Sequence, residues 1–443
     1  MTTDAPDFGD YAIFGVTQDP EFLSQELPRR LGITPRTIDF GVAGTFFFYS
    51  SYGDTAETEE AIALSLGFVR SQQRTPLSAL QLLEKQIVGL GTIDSQAFYG
   101  SATVASFSKQ SPKFSVYETL LVSPPLYYTH LKQDSFLCAT NVRALLALLD
   151  RVELNEDAIP MHFLFEAVVG PVTYFKEIFR LFPGQMLIWD QGDVTVKLVQ
   201  NFQPPAEMSH YNQLDDTSLT ALERDLSEVL GVYLADIKQS GHQSANLLSG
   251  GVDSSVLQLL LNQHVSDEAP LSYSYAVKAG SFDFEVEYAR HASELFNTNH
   301  TYFDILPQDF PGLLTRTIEL LGQPNLMFEG EVGKLALAEA LSAHAPDIRY
   351  FFTAQGADGV HGMAPAKKMA LFDRTKQIPG AHLGLSFASR LVSLISDKKG
   401  DGLREVAELL VEDRKPDSFL SPMNISAIAV NLDTVRHYFG DAA

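Results

Sequence analysis

The sequence predicts two domains of different class: an α+β domain built on a mostly antiparallel sheet, then an α/β domain built on a doubly wound parallel sheet. Three observations lead there. Up to about residue 200, short β-prone runs separated by turn signals dominate. The stretch from Asn201-Phe202-Gln203-Pro204-Pro205 to Asp215-Asp216-Thr217-Ser218 is polar, proline-bearing and free of apolar periodicity, so it reads as a linker. Beyond it, strand-like runs alternate with helical periodicity, the grammar of βα units. The division falls at residue 205, giving domains 1–205 and 206–443.

In the first domain, strands are expected over 44–49, 98–107, 113–121 and 185–190, with helices over 57–67 and 141–149. Pro183-Gly184 is a turn, and Asp190-Gln191-Gly192-Asp193 is a hairpin signal before Val194-Thr195-Val196. The run Phe46-Phe47-Phe48-Tyr49 reads as sheet core. Cys138, inside Phe136-Leu137-Cys138-Ala139, reads as a small buried hydrophobe. In the second domain, Leu219, Leu222, Leu226, Val229, Leu230, Tyr233, Leu234 and Ile237 recur at helical spacing. Strands then follow at 246–248, 271–277, 301–303 and 350–353, with helices at 256–263, 285–296 and 335–343 between them.

Composition narrows the function classes. With 45% apolar and 20% charged residues in 443, the chain can bury two sizeable cores and is not a disordered protein. Acidic residues outnumber basic ones 55 to 32, and the net charge of −23 offers no positive field for a phosphate backbone, so no nucleic-acid partner is expected. A single cysteine excludes an internal disulfide framework and any multi-cysteine zinc site. The first ten residues carry Asp4, Asp7 and Asp10 and no basic residue, unlike a signal peptide. No window of about 18 apolar residues suggests a membrane span, so the expected location is the cytoplasm.

The strongest local signal is Ser249-Gly250-Gly251-Val252-Asp253-Ser254-Ser255, at the end of a predicted strand and the start of a predicted helix. Two glycines permit a tight turn with amides facing inward. The three hydroxyls add donors, and a helix N-terminus behind them adds partial positive charge. This is an anion cradle suited to phosphate or pyrophosphate. Asp253 would repel phosphate on its own, and makes sense as a Mg²⁺ ligand that shares the ion with phosphate oxygens. The plainer alternative is a capping turn, in which the serines and Asp253 only satisfy backbone amides.

This segment resembles the Ser-Gly-Gly-x-Asp-Ser pyrophosphatase loop of ATP-pyrophosphate-cleaving enzymes, shared by GMP synthetase, NAD synthetase, tRNA-modifying ligases and asparagine synthetase. The Gly-Lys-Ser/Thr of a Walker loop is absent. Leu247 to Ser255 behind an amphipathic helix, Glu287-Tyr288-Ala289-Arg290, Leu295-Phe296-Asn297-Thr298-Asn299-His300 and Gly322-Gln323-Pro324 are similar to asparagine synthetase. Gln355-Gly356-Ala357-Asp358-Gly359-Val360-His361-Gly362 resembles its second phosphate loop, with Gln355 and Gly359 standing where that family has glutamates. The resemblance implies ATP and Mg²⁺. It implies nucleotide contacts at Ser249, Gly250, Gly251, Asp253, Ser254, Ser255, Gln355 and Gly356, and makes Asp253 and Asp358 the metal-holding catalytic pair. His361 is expected either to face the site or to pack the loop, whereas His291 and His300 are expected to be structural.

The first domain resembles class II glutamine amidotransferases. Tyr11-Ala12-Ile13-Phe14-Gly15-Val16 is similar to their Cys-Gly-Ile-Phe-Gly start, and Asn141-Val142-Arg143 and Phe179 to Gln185 to later landmarks. The resemblance covers residues 11–365. Those glutaminases use a terminal cysteine whose own amine is the base. Tyr11 stands in that place, which makes the domain a degenerate one. A kept synthetase loop with a lost glutaminase is similar to β-lactam synthetases and lasso-peptide macrolactam synthetases. The resemblance therefore implies an AMP-forming amide ligase acting on a small molecule or peptide in natural-product biosynthesis. A silent nucleotide-binding scaffold and an ammonia-dependent synthetase are the other two readings. About eighty residues follow Asp358, so the distal lobe reads as shortened and a partner protein is a candidate to complete the site.

Overall fold

The computed structural model describes residues 8–120, 123–132, 135–165, 168, 170–201, 216–239, 241–265, 269–278, 283–324, 328–357, 371, 374–375, 378, 380–393, 403–404 and 406–407. The first domain contains strands β1 (Ala12–Thr17), β2 (Arg36–Asp39), β3 (Thr45–Ser50), β4 (Asp54–Glu57), β5 (Ala61–Ser71), β6 (Val88–Gly89), β7 (Thr92–Ile93), β8 (Phe98–Ser108), β9 (Lys113–Glu118), β10 (Tyr127–Lys132), β11 (Ser135–Ala139), β12 (Ile178–Arg180), β13 (Gln185–Asp190) and β14 (Asp193–Leu198). Its helices include α1 (Leu27–Leu31), α2 (Ala79–Glu84), α3 (Val142–Leu148) and α4 (Ala158–Phe165).

Two six-stranded antiparallel sheets, ordered β12-β10-β11-β1-β3-β2 and β14-β13-β9-β8-β5-β4, form the body of this domain. Successive side chains of a strand point to opposite faces. Phe14, Phe46, Phe107, Phe114 and Trp189 fill the space between the sheets, and Phe114 stacks on Trp189 at 5.9 Å. On the outer face of the first sheet, Ile13, Phe47 and Leu137 pack under α1 and α3. On the outer face of the second, Ala61, Ala63 and Val104 pack under α2. The result is four layers, helix–sheet–sheet–helix. Phe46-Phe47-Phe48 is apolar without alternation because both faces of its strand are covered. Cys138 lies in the same sheet, fully buried.

The expected helix over 57–67 is a strand instead. Ala61–Ser71 pairs with β8 along its whole length, from Ala61 opposite Ser108 to Ser71 opposite Phe98. Coverage on both faces makes Ala61 to Leu66 a continuous buried run, which has no period of two to reveal it. The strand expected over 113–121 ends at Glu118. Helix α3 does follow Asn141, whose side chain caps it by accepting from Arg143 N at 2.9 Å. The hairpin is present too, with Gln191 and Gly192 both at positive φ as a tight two-residue turn requires.

The second domain contains α5 (Asp216–Gln239), β15 (Gln243–Leu247), α6 (Val252–Asn262), β16 (Leu271–Val277), α7 (Asp283–Leu295), β17 (Asn299–Ile305), α8 (Phe310–Leu321), α9 (Phe328–His344) and β18 (Ile348–Phe352). Its four strands are parallel in the order β17-β16-β15-β18. The chain steps outward from β15 to β17, then returns to the far side of β15 for β18, so the winding reverses beside β15. Helix α8 was not expected from the sequence. Residues 216–218, read as linker, form the first turn of α5, while the boundary at residue 205 lies outside the described residues. Among the described residues, no helix is long and apolar enough to cross a membrane.

The domains meet where the end of β5 reaches α5. Arg70, buried, pairs with Asp236, and its guanidinium lies 4.4 Å from the centre of the Tyr233 ring. Phe68 packs edge-on against Tyr233 and also reaches Tyr350 of β18.

Candidate nucleotide site

The first loop begins where β15 leaves the sheet. Leu248 still donates its amide to Tyr273 O of β16, at 2.9 Å. Gly250 then turns the chain with φ +78°, and Gly251 caps α6 in an extended conformation. A side chain at Gly250 would collide with the Tyr288–Ala289 peptide: its Cβ would come within 2.6 Å of Ala289 N. Helix α7 therefore backs the loop through bare backbone contact, which only glycine permits.

The loop hydroxyls are ordered among themselves. Ser249 Oγ accepts the Gly251 amide at 3.3 Å and lies 3.0 Å from Ser254 Oγ, which donates to Gly251 O at 3.1 Å. Ser254 is buried, Ser255 half-buried and Asp253 exposed at the first turn of α6. The first amides of a helix have no acceptor within it, so α6 aims donors and partial positive charge at whatever fills the loop.

The second loop starts from the neighbouring strand. Asn246 of β15 lies opposite Phe352 of β18, so residues 353–357 leave the sheet beside residues 248–251. Gln355 donates its amide to Thr353 Oγ1 at 3.2 Å, and both Gln355 and Gly356 are exposed. Both loops thus open at the carboxyl ends of adjacent strands, where the winding of the sheet reverses. Open parallel sheets bind ligands at that crevice.

The structure sets Ser249, Gly250 and Gly251 in the loop and Asp253, Ser254 and Ser255 in the first turn of α6 directly after it, and places the stem of Gln355 and Gly356 alongside. Asp358, Gly359 and His361 lie outside the described residues. The donor set fits a phosphate chain: a cradle that a Cβ would fill, hydroxyls, and helix amides. An exposed Asp253 carboxylate at its edge fits a cation that also takes phosphate oxygens. Among the described residues there is no group of three or more His, Cys, Asp or Glu arranged for a metal.

His300 holds strands together: its ring nitrogens meet Ser272 Oγ at 2.7 Å and Ser274 Oγ at 2.9 Å, and burial lowers its pKa. His291 lies exposed on α7. A cavity of about 380 Å³ between α5, α6 and the sheet reaches from Gln243, Leu271 and Asn299, the first residues of their strands, to Asn246, Gln258 and Phe352 near the carboxyl ends. Beneath the first loop lie Asn246 and Gln258, and Asn262 follows at the far end of α6; the sequence alone does not single them out. Their only sequence signal is three carboxamides set in apolar surroundings.

At the other site, Tyr11 precedes β1. Its amide donates to Ser51 Oγ at 2.9 Å, and its phenol is buried, with the pKa pushed up to about 12 by burial and then by Tyr49. Tyr11 thus presents a peptide nitrogen and a buried phenol at the head of β1.

Residues 238–422 match the asparagine synthase family, and residues 83–202 match the glutamine amidotransferase domain family. A putative glutamine-hydrolysing asparagine synthetase of Methanocaldococcus jannaschii is 21% identical over 203 residues, which span 45% of this chain and 38% of that protein. The match thus covers well under half of that relative. Among solved structures, the ammonia-dependent NAD synthetase of Campylobacter jejuni superposes with TM-score 0.25 at 16% identity, covering 46% of this chain and 91% of the other. The glutamine phosphoribosylpyrophosphate amidotransferase of B. subtilis does so with TM-score 0.25 at 10% identity, covering 67% and 76%. Superpositions this loose say nothing about activity.

Proposed function

The chain belongs to the asparagine synthetase-like superfamily, and on that premise we propose that it is an ATP-dependent, AMP-forming amide ligase that works without a glutaminase. The observation that carries the reading is the first loop: a Gly250 turn seated on α7, opening beside the second loop at the switch point of a parallel sheet.

In the proposed reaction a substrate carboxylate oxygen bonds to the α-phosphorus of ATP, and the bond from that phosphorus to the bridging oxygen breaks, releasing pyrophosphate. An amine then bonds to the acyl carbon, AMP leaves with the electron pair, and the amine proton passes to solvent. Ser249, Ser255 and the first amides of α6 would hold the phosphates and stabilise the charge that collects on pyrophosphate, the kind of preorganised electrostatics that dominates many such steps. Asp253, with Asp358 as the second proposed ligand, would hold Mg²⁺, which supplies charge neutralisation on the phosphate oxygens. Binding acyl group and amine together supplies proximity.

Tyr11 supports the loss of glutamine hydrolysis. Its nitrogen is an amide, not a free base, and it offers no thiol. An amine carried by the same substrate, as in β-lactam and lasso-type macrolactam synthesis, removes the need for ammonia, and a cytoplasmic small molecule or peptide is the proposed substrate class. A partner protein supplying the distal part of the pocket belongs to the same proposal. Gln355, standing where the resemblance expects an acid, favours one second reading, a silent nucleotide-binding scaffold.

The two readings separate on pyrophosphate release with candidate substrates. The ligase releases it, and Asp253→Ala loses it. A scaffold binds ATP and releases none. Wild-type release from the Asp253→Ala protein would refute the site assignment, and glutamate formed from glutamine by the pure protein would refute the loss of glutaminase.

A further inference from the structure

Asn246 of β15 is buried at 1% exposure, three residues before Ser249, and its Nδ2 donates to Gln258 Oε1 at 2.9 Å and to Ser254 O at 3.4 Å. Gln258, fully buried, passes the chain on: its Nε2 donates to Asn262 Oδ1 at 2.8 Å. Asn262 Nδ2 then donates to Phe296 O, just past the end of α7, also at 2.8 Å. Ser254, Gln258 and Asn262 are spaced by four residues along one face of α6. All three carboxamides donate in the same direction, from strand to helix α6 to the chain leaving α7. Asn246 Oδ1 is buried with no hydrogen-bond partner among the described residues.

We infer that Asn246, Gln258 and Asn262 are positioning residues for the phosphate chain of the nucleotide: they fix the rotation and depth of α6 so that its first turn meets the ligand. This rests on the nucleotide reading of the loop. Burying the carboxamides of Asn246 and Gln258 carries a desolvation penalty, and leaving one oxygen unpaired adds to it. Leucine or methionine at these places would hold a helix on a sheet at lower cost. Apolar contact, however, lets a helix slide and roll, whereas a hydrogen-bonded chain holds one orientation.

That orientation decides where Asp253, Ser254 and Ser255 stand, since they form the first turn of α6. Helix α7 completes the frame. It touches the loop at Gly250 through Tyr288–Ala289, and the carbonyl just beyond its last turn receives Asn262. Loop, α6 and α7 are thereby tied at both ends of α6. Interactions arranged before the ligand arrives need no reorganisation when it binds, which is why a small tilt of α6 should be costly for phosphate binding.

The experiment measures binding of MgATP and of magnesium pyrophosphate by calorimetry, well below the melting temperature of each protein. Gln258→Leu keeps the volume and removes every bond that Gln258 makes in the chain. It should weaken both ligands at least tenfold and lower the melting temperature. The double variant Asn246→Leu/Gln258→Leu removes the stranded amide. It should recover melting temperature but not affinity. Asn262→Ala, at the half-buried outer end, should still weaken MgATP at least threefold and serves if the inner variants do not fold. A merely structural chain would move only the melting temperature. Affinity within twofold of wild type in a folded Gln258→Leu or double variant, or unchanged in Asn262→Ala, would overturn the inference. Failure of the wild-type protein to bind MgATP would instead refute the nucleotide reading before any variant is compared.

Discussion

Gly250 rests on the backbone of Tyr288, with no room for a β-carbon between the loop and α7. Its φ of +78° is a second reason that only glycine serves there. Gly250→Ala is expected to cost about 2–3 kcal/mol of stability and to abolish measurable MgATP binding. Gly251 differs: its φ is −68°, and the nearest atom to a built Cβ is Ser249 Oγ at 3.4 Å. Gly251→Ala should melt within about 1 kcal/mol of wild type. Melting curves and calorimetry on the two variants check the contrast.

Glu118 ends β9 with only 1% of its surface exposed. Burial pushes its carboxyl up to about 7, against the opposing pull of the Ser123 hydroxyl, the Arg180 guanidinium and the Leu126 amide. An unfolded glutamate titrates near 4.3. The fold therefore favours the protonated form. That contribution is fully present below pH about 4.3 and is lost as pH rises through about 7, by up to ~4 kcal/mol. Glu118→Gln should flatten the stability change across this window, measured by urea unfolding at about pH 5 and pH 8. An unaltered pH dependence in the variant would contradict this account of Glu118.

Arg70 joins the two domains through Asp236 and the face of Tyr233. Arg70→Met keeps much of the volume but leaves Asp236 unpaired. Asp236 is 35% exposed and regains water, so the expected loss is about 2 kcal/mol, below that of a fully buried pair. Calorimetric melting should change from one transition to two as the domains uncouple. A single transition at the wild-type temperature would show that the contact does not couple them.

Cys138 is fully buried, and burial raises its thiol pKa well above the ordinary value. A thiol-reactive dye should find no group in the native protein and one in urea. Fast labelling of the native protein would show that this sheet opens.

How much was legible in the sequence depends on what covered each segment. Ser249 to Ser255 announced itself because glycines, hydroxyls and an acid at a strand–helix junction are rare for packing reasons alone. The parallel sheet was legible because β16 and α7 carry different periods. Ala61 to Leu66 misled because a strand covered on both faces loses its alternation and reads like a helix. Helix α8 went unseen because Pro311 and Gly312 near its start look like a loop, although proline suits the first turn. Asn246, Gln258 and Asn262 were invisible because their meaning lies in which partner each amide meets, and spacing alone does not show that.

The central claim is that this loop serves AMP-forming chemistry. ATP labelled in its α-phosphate, given to the protein with a candidate substrate carrying both carboxylate and amine, tests it most directly. The account predicts labelled AMP appearing in step with amide product, with one pyrophosphate for each AMP. Labelled ADP formed in step with the product would mean attack at the γ-phosphorus, and would contradict the assignment of this site.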